Sequence, residues 1–221
     1  RYRDFRLLWF GAFTSTTGTW MQIVAQSCVV LQLTGSAFYL GLVSFLGQLP
    51  VILFTLLGGA FADRLDRRKL LLFSQYVQMG VAIALTILLY LDRIEIWHFL
   101  VLVFVSGSGQ AFGGPAYQAL IPTLVKREDM SNAIAINSIQ FNLARMVGPV
   151  LAGAAFASLG AVFCFGLNAT SFLAVVIALY MIRTSFVPQK TDATVVKQIK
   201  EGFTYIRGKG SLWQLTVLGF V

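Results

Sequence analysis

Long apolar runs, separated by short polar breaks, make up most of this chain. They cover about 8–33, 37–61, 70–91, 97–121, 133–158 and 161–182, and a seventh begins near Leu212. Each of the six has the length of a transmembrane helix, which takes about 20 residues to cross the hydrocarbon layer. Barrel strands would be about ten residues long with strict alternation, a pattern these runs lack. The periodicity therefore predicts an all-α fold, a polytopic membrane helix bundle.

Composition strengthens that reading. The chain is 57% hydrophobic and 12% charged, with a mean hydropathy of +0.76. Soluble domains average about 25% charged residues, and 221 residues cannot hide this much apolar surface in a core. The excess must face lipid. Cys28 and Cys164 both fall inside apolar runs and read as small buried hydrophobes. A single histidine, His98, cannot assemble a metal site with them. No cofactor is expected. Arg1 opens directly onto the first run, with no cleavable leader, and the chain ends inside an apolar run. The sequence therefore reads as a piece of something longer.

Charge gives an orientation. Of the 17 basic residues, all but Arg93 and Arg145 lie in the N-terminal segment, the connections after spans 2 and 4, or the segment after span 6. Basic residues collect on the cytoplasmic side, so the N-terminus and these segments are expected in the cytoplasm, with the protein multi-pass in the plasma (inner) membrane. The net charge of +8 is explained the same way. Nucleic acid is not an expected partner, since no basic aromatic face or reader motif appears. Within 184–210, Val196, Ile199, Phe203 and Ile206 share one helical face, as in a short helix lying on the membrane surface. The expected organisation is a six-helix bundle over 1–183, a cytoplasmic linker over 184–210 and the start of a seventh helix over 211–221.

The connection after span 2 reads GGAFADRLDRRKL. Its pattern, Gly59-x-x-x-Asp63-Arg64-x-x-Arg67-Arg68, resembles the loop 2–3 signature of the major facilitator superfamily, G-x-x-x-D-R-x-G-R-R. Asp66 stands where that signature has glycine, a departure that would alter the turn or tie up Arg67 or Arg68. The stretches DFRLLWFGAFTSTTGTWMQIVAQSCVVLQLTGSA, PAYQALIPTLVKREDMSNAIAINS and NLARMVGPVLAG are similar to the bacterial exporter branch that includes enterobactin exporters and macrolide-type efflux proteins. The resemblance covers the whole chain, as the N-terminal half of a twelve-helix protein. It implies that Gly59, Asp63, Arg64, Arg67 and Arg68 form a conformational switch. In that switch Gly59 admits a neighbouring helix, and Asp63 caps a helix end in the second half. Gly148-Pro149 followed by Gly153 resembles the span 5 exporter motif G-P-x-x-G-G, with Ala152 replacing one glycine. It marks a hinge and packing seam.

A transporter hides polar groups from lipid and shows them to a central cavity. Helical spacing offers Ser15, Thr19, Gln22 and Gln26 on span 1, and Gly41, Ser44 and Gln48 on span 2. Span 4 adds Ser106, Gln110 and Gln118. Span 5 adds Ser138, Asn142 and Arg145, and span 6 adds Asn168. Gln22, Gln26, Gln48, Gln110, Asn142, Arg145 and Asn168 are the candidate cavity residues. The rival role for each amide is interhelical glue, worth about 0.6 kcal/mol. Arg145 stands apart as the one formal charge well inside a span. It costs about 2.5–3.5 kcal/mol there and does not deprotonate. It needs water, an anion or a carboxylate partner.

Spans 1–6 hold no embedded acid, and no phosphate-binding loop GxxxxGK[ST] appears. The expected function is a secondary exporter of an amphipathic small molecule, such as a drug or siderophore, working by alternating access. The coupling ion by resemblance is a proton. The expected partners are the small-molecule substrate, the lipid bilayer and the second half of the same protein. A membrane enzyme would need acids, a nucleophile triad or metal ligands at membrane depth, and none is placed there. The alternative is a sensor or lipid-handling scaffold that binds without translocating.

Overall fold

A computed structural model describes residues 2–183. The expected surface helix of 184–210 and the seventh span lie outside the described residues. The order is α1 (Arg3–Thr34), α2 (Ala37–Arg64), α3 (Arg67–Tyr90), α4 (Ile96–Leu124), a 3₁₀ turn (Arg127–Asp129) and a helical run Met130–Met181. Gly160 divides that run with a backbone of φ 80° and ψ 179°. The two pieces are α5 (130–159) and α6 (161–181). All six expected spans are therefore helices, and no strand occurs among the described residues.

By length and composition, α2, α3, α4 and the run Arg127–Met181 are apolar enough to cross a membrane. The first helix falls short because Thr14, Ser15, Thr16, Thr17, Thr19, Gln22, Gln26 and Ser27 dilute it. Its 32 residues exceed the length needed, and α5 and α6 cover it.

Helix ends follow local chemistry. Gly35 ends α1 in the left-handed region (φ 60°), and its N–H donates to Leu31 O, as glycine C-caps do. Asp66 starts α3 as an N-cap, accepting from the backbone N–H of Arg68 (2.9 Å) and Lys69 (3.3 Å). Aspartate and glycine are both good N-caps, so the departure from the signature preserves the helix start. Asp66→Ala is expected to lower stability by about 1 kcal/mol and Asp66→Gly by a few tenths. A thermal melt of the three proteins in detergent checks the order.

Glycines decide which helices touch. Gly148 of α5 lies against α1, where a Cβ would sit 2.8 Å from Thr17 O. Gly11 and Gly18 of α1 face α6, at Ala174–Ala178 and at Asn168 and Ser171. On the other side, Gly58 of α2 meets Ala111 of α4, and Gly107 of α4 meets Gly47 of α2. Gly109 and Gly113 of α4 receive Val77 and Ser74 of α3, while Gly166 of α6 faces Thr86 of α3. Exchanging α1 with α4, α2 with α5 and α3 with α6 maps this set of contacts onto itself. The bundle is thus two three-helix repeats, a relation that residue identities conceal.

The core is layered. One apolar cluster, around Leu8, Leu71, Leu120 and Leu179, fills the end that carries the basic connections. A second, around Val30, Leu85, Phe99 and Phe165, fills the opposite end. Buried polar side chains lie between them: Ser15, Ser74, Gln75, Gln78, Asn168 and Ser171. Cys164 is buried and Cys28 half-buried, and both are free thiols.

Candidate functional site

Two faces of the bundle differ in chemistry. Exposed residues of α3 form the stripe Phe73, Tyr76, Ile83, Ile87 and Tyr90, and those of α6 include Phe163, Leu167, Leu173, Ile177 and Tyr180. Apolar stripes of this kind suit acyl chains. Exposed polar groups lie instead on α1, α2, α4 and α5: Thr14, Ser44, Gln48, Gln110, Gln118, Ser138, Asn142 and Arg145. On α5 they occupy one strip, while Ile139, Leu143, Met146 and Val150 occupy another.

The guanidinium of Arg145 is exposed on the polar strip. Its carbon lies 5.3 Å from the centroid of the Trp20 ring on α1. Trp20 in turn meets Phe141 edge-on at 6.3 Å. Gly148 explains this arrangement: lacking a side chain, it lets α5 close onto the backbone of α1 at Thr17–Met21. A cation over an indole gains about 0.5–2 kcal/mol, less than the about 2.5–3.5 kcal/mol of placing arginine at mid-membrane. The remainder must come from water or an anionic group. Trp20 and Phe141 were not candidates from sequence. Their one signal is that each lies on its helix beside the arginine seam.

The candidate amides divide. Gln48, Gln110 and Asn142 are exposed, although Asn142 donates back to Ser138 O (2.8 Å). Gln26 is half-buried. Asn168 is only 2% exposed and donates through Nδ2 to Gln22 Oε1 at 2.6 Å. Ser171 Oγ donates to Asn168 O (2.7 Å). Gln22 and Asn168 therefore join α1 to α6 and do not stand open on the polar face, and Ser15 is buried as well. Asn168→Ala leaves the Gln22 carbonyl without its donor. It is expected to destabilise the protein by about 0.6–1.7 kcal/mol while leaving substrate preference unchanged, which melting and a substrate panel together test. Two buried amide atoms on other helices, Gln75 Oε1 and Gln140 Nε2, have no hydrogen-bond partner. Periodicity did not single out these glutamines.

The signature residues at the basic end also divide. Around Gly59 a Cβ would find open space, and it is Gly58 that α4 approaches. Among the described residues, the approach of α4 to this end of α2 falls on Gly58, which faces Ala111. Asp63 is exposed, and Arg64 is half-buried. Arg67 donates to Ala62 O (Nε, 3.2 Å) and to Ala119 O of α4 (Nη1, 2.9 Å). Arg68 donates to Ile182 O at the end of α6 (3.4 Å). Each arginine therefore meets carbonyl oxygen toward the C-terminal end of another helix, where cations are favoured. The Asp66 carboxylate takes backbone N–H groups, those of Arg68 and Lys69, as the cap of α3. Pro149 and Gly153 lie within continuous α5, and Gly153 is open to the surface.

A pocket of about 440 Å³ opens at the basic end between α1 and the start of α5. Phe5, Trp9, Phe10, Ala133 and Ile136 give it apolar walls, with Arg6 and Asp129 at its edge. Tyr2 donates to Asp129 (2.6 Å) and Trp9 to Ile136 O (3.1 Å), tying the two helices on either side. Arg145 is not among its lining residues.

Comparison with known proteins places this geometry. The family described as transmembrane secretion effector matches residues 1–219. Macrolide efflux protein A of Streptococcus pyogenes is 24% identical over 99% of this chain and 56% of its own length. The multidrug efflux pump Tap of Mycolicibacterium fortuitum is 27% identical, over 96% of this chain and 53% of its own. The enterobactin exporter EntS of Escherichia coli is 23% identical, over 97% and 52%. The chain thus spans about half the length of the relatives it matches. A crystal structure of a mutant peptide transporter POT in complex with sulfate superposes with a TM-score of 0.71 at 16% identity, covering 99% of this chain and 46% of that one. That likeness shows the fold. On these grounds the chain is a multi-pass membrane protein of the major facilitator superfamily and belongs to its transmembrane secretion effector family.

Proposed function

We propose that the chain is the N-terminal half of a secondary exporter for an amphipathic small molecule, a drug or a siderophore, with its N-terminus in the cytoplasm and its spans in the plasma membrane. The observation that carries this reading is Arg145. It is a permanent charge among membrane-spanning residues, exposed on the same strip of α5 as Asn142, while Gln48 of α2 and Gln110 of α4 are exposed as well. A face of this kind is stable only against water, substrate or another part of the protein. The second half would complete the cavity, and the two halves would rock about it. Asp63, Arg64, Arg67 and Arg68 would hold one of the two rocking states at the cytoplasmic edge, with α5 moving along its seam at Gly148, Pro149 and Gly153.

Proton exchange is the coupling that fits the branch. Acidic side chains of the described residues sit at helix ends and connections and not at mid-span. The proton-carrying group is then Asp63, a connection acid or a residue of the second half. Flux in proteoliposomes tests the whole reading. The full-length protein is expected to move a macrolide or catecholate substrate against its gradient when a pH difference is imposed, and to collapse that difference in return. Saturable binding without flux would identify a scaffold and overturn the proposal.

A further inference from the structure

Most of the outer seam of α3 and α6 is apolar, but its basic end is not. There the hydroxyls of Tyr76 and Tyr180 lie 3.1 Å apart, and both side chains are exposed, by 44% and 61%. The guanidinium carbon of Arg68 sits 5.8 Å from the centroid of the Tyr180 ring. The three groups come from both helices. Arg68 is in the first turn of α3, and Tyr180 is one residue from the end of α6. Tyr76 lies about 12 Å further along α3 at 1.5 Å per residue, and its ring leans back toward the helix start. The hydroxyls meet toward the end of the bundle that carries the basic connections.

Donors exceed acceptors at this spot. In a hydroxyl pair one O–H donates to the other oxygen, which leaves the second hydrogen for an outside acceptor. Arg68 has five side-chain N–H groups and, among the described residues, its guanidinium makes one 3.4 Å bond, to Ile182 O. The nearby Asp66 carboxylate accepts backbone N–H groups at the start of α3. Exposed donors at the edge of a lipid-facing stripe match an acceptor that lipid itself carries. Plain belt tyrosines sit at the headgroup level singly, whereas here two hydroxyls and a cation from two helices converge.

We propose that Arg68, Tyr76 and Tyr180 bind the phosphate of an anionic phospholipid on the outer seam of α3 and α6. The lipid would bridge the third helices of the two repeats away from the polar face; it shares Arg68 with the proposed switch, and retained lipid is read without any transport assay. It is tested on the full-length protein in detergent, offered phosphatidylcholine and phosphatidylglycerol together, with retained lipid read by native mass spectrometry. The wild type is expected to retain phosphatidylglycerol preferentially. Tyr76→Phe with Tyr180→Phe keeps both rings and is expected to reduce that preference about threefold to tenfold without changing the melting temperature. Arg68→Gln is expected to abolish it. Equal retention of the two lipids by the wild type overturns the proposal, as does an undiminished preference in the double tyrosine variant. Displacement of phosphatidylglycerol by equal inorganic phosphate assigns the site to free phosphate and overturns the lipid assignment.

Discussion

Gly58→Val is expected to melt well below the wild type, whereas Gly59→Val, one residue along the same helix, melts close to it. The difference lies in what a side chain would meet. A Cβ at position 58 falls on the carbonyl of Ala111 and the backbone of Phe112, while at position 59 it enters open space. Backbone cannot rotate aside as a flexible side chain can, so α2 and α4 would have to separate. Overpacking typically costs about 1–3 kcal/mol, and an obstacle made of helix backbone lies at the upper end of that range. Valine is a better helix former than glycine by a few tenths of a kcal/mol, a gain both variants share. Fluorescence-detected size exclusion after graded heating separates the two. Equal melting of both variants would mean that the α2–α4 approach is not what holds this side of the bundle.

Arg145→Ala is expected to lower transport about 10-fold to 100-fold with the amount of folded protein unchanged. A charged group that meets its substrate through hydrogen bonds contributes about 1.5–3 kcal/mol, and that range sets the expected loss. Removing an exposed cation also removes its insertion cost, so the folded protein does not suffer. Arg145→Lys keeps the charge but loses the planar stack over Trp20, and recovers part of the flux. The measurement is initial efflux rate at matched membrane expression for the three proteins. If Arg145→Ala fails to accumulate while Arg145→Lys behaves as wild type, the arginine is a structural partner of the second half and not a cavity group.

Most of the fold was legible because a bilayer imposes length. The six spans, their basic ends and the bundle class all follow from runs of about 20 apolar residues. Pairing was not legible. Periodicity tells which residues share a helix face, but not which helix that face meets. Ser15, Thr19, Gln22 and Gln26 were read as one cavity stripe, yet Gln22 turns to Asn168 across the α1–α6 seam. An amide gives the same sequence signal whether it lines water or glues helices. For the same reason Gly58 and Gly59 were indistinguishable until α4 was in place. Arg145 could be singled out because a fixed charge in a span has few permitted surroundings. Its aromatic neighbour came from another helix, 125 positions earlier in the sequence.

The connections on the two sides of the bundle are unequal in kind. Opposite the basic end, α1 passes to α2 through Gly35 and Ser36 alone, and α5 to α6 through Gly160 alone. Both glycines use positive φ, so neither corner tolerates a bulkier residue without strain. Among the described residues, only the stretch from Leu91 to Glu95 stands clear as a loop on that side. To a protease, an antibody or a membrane-impermeant label approaching from there, the described residues offer a nearly closed shell with a single handle.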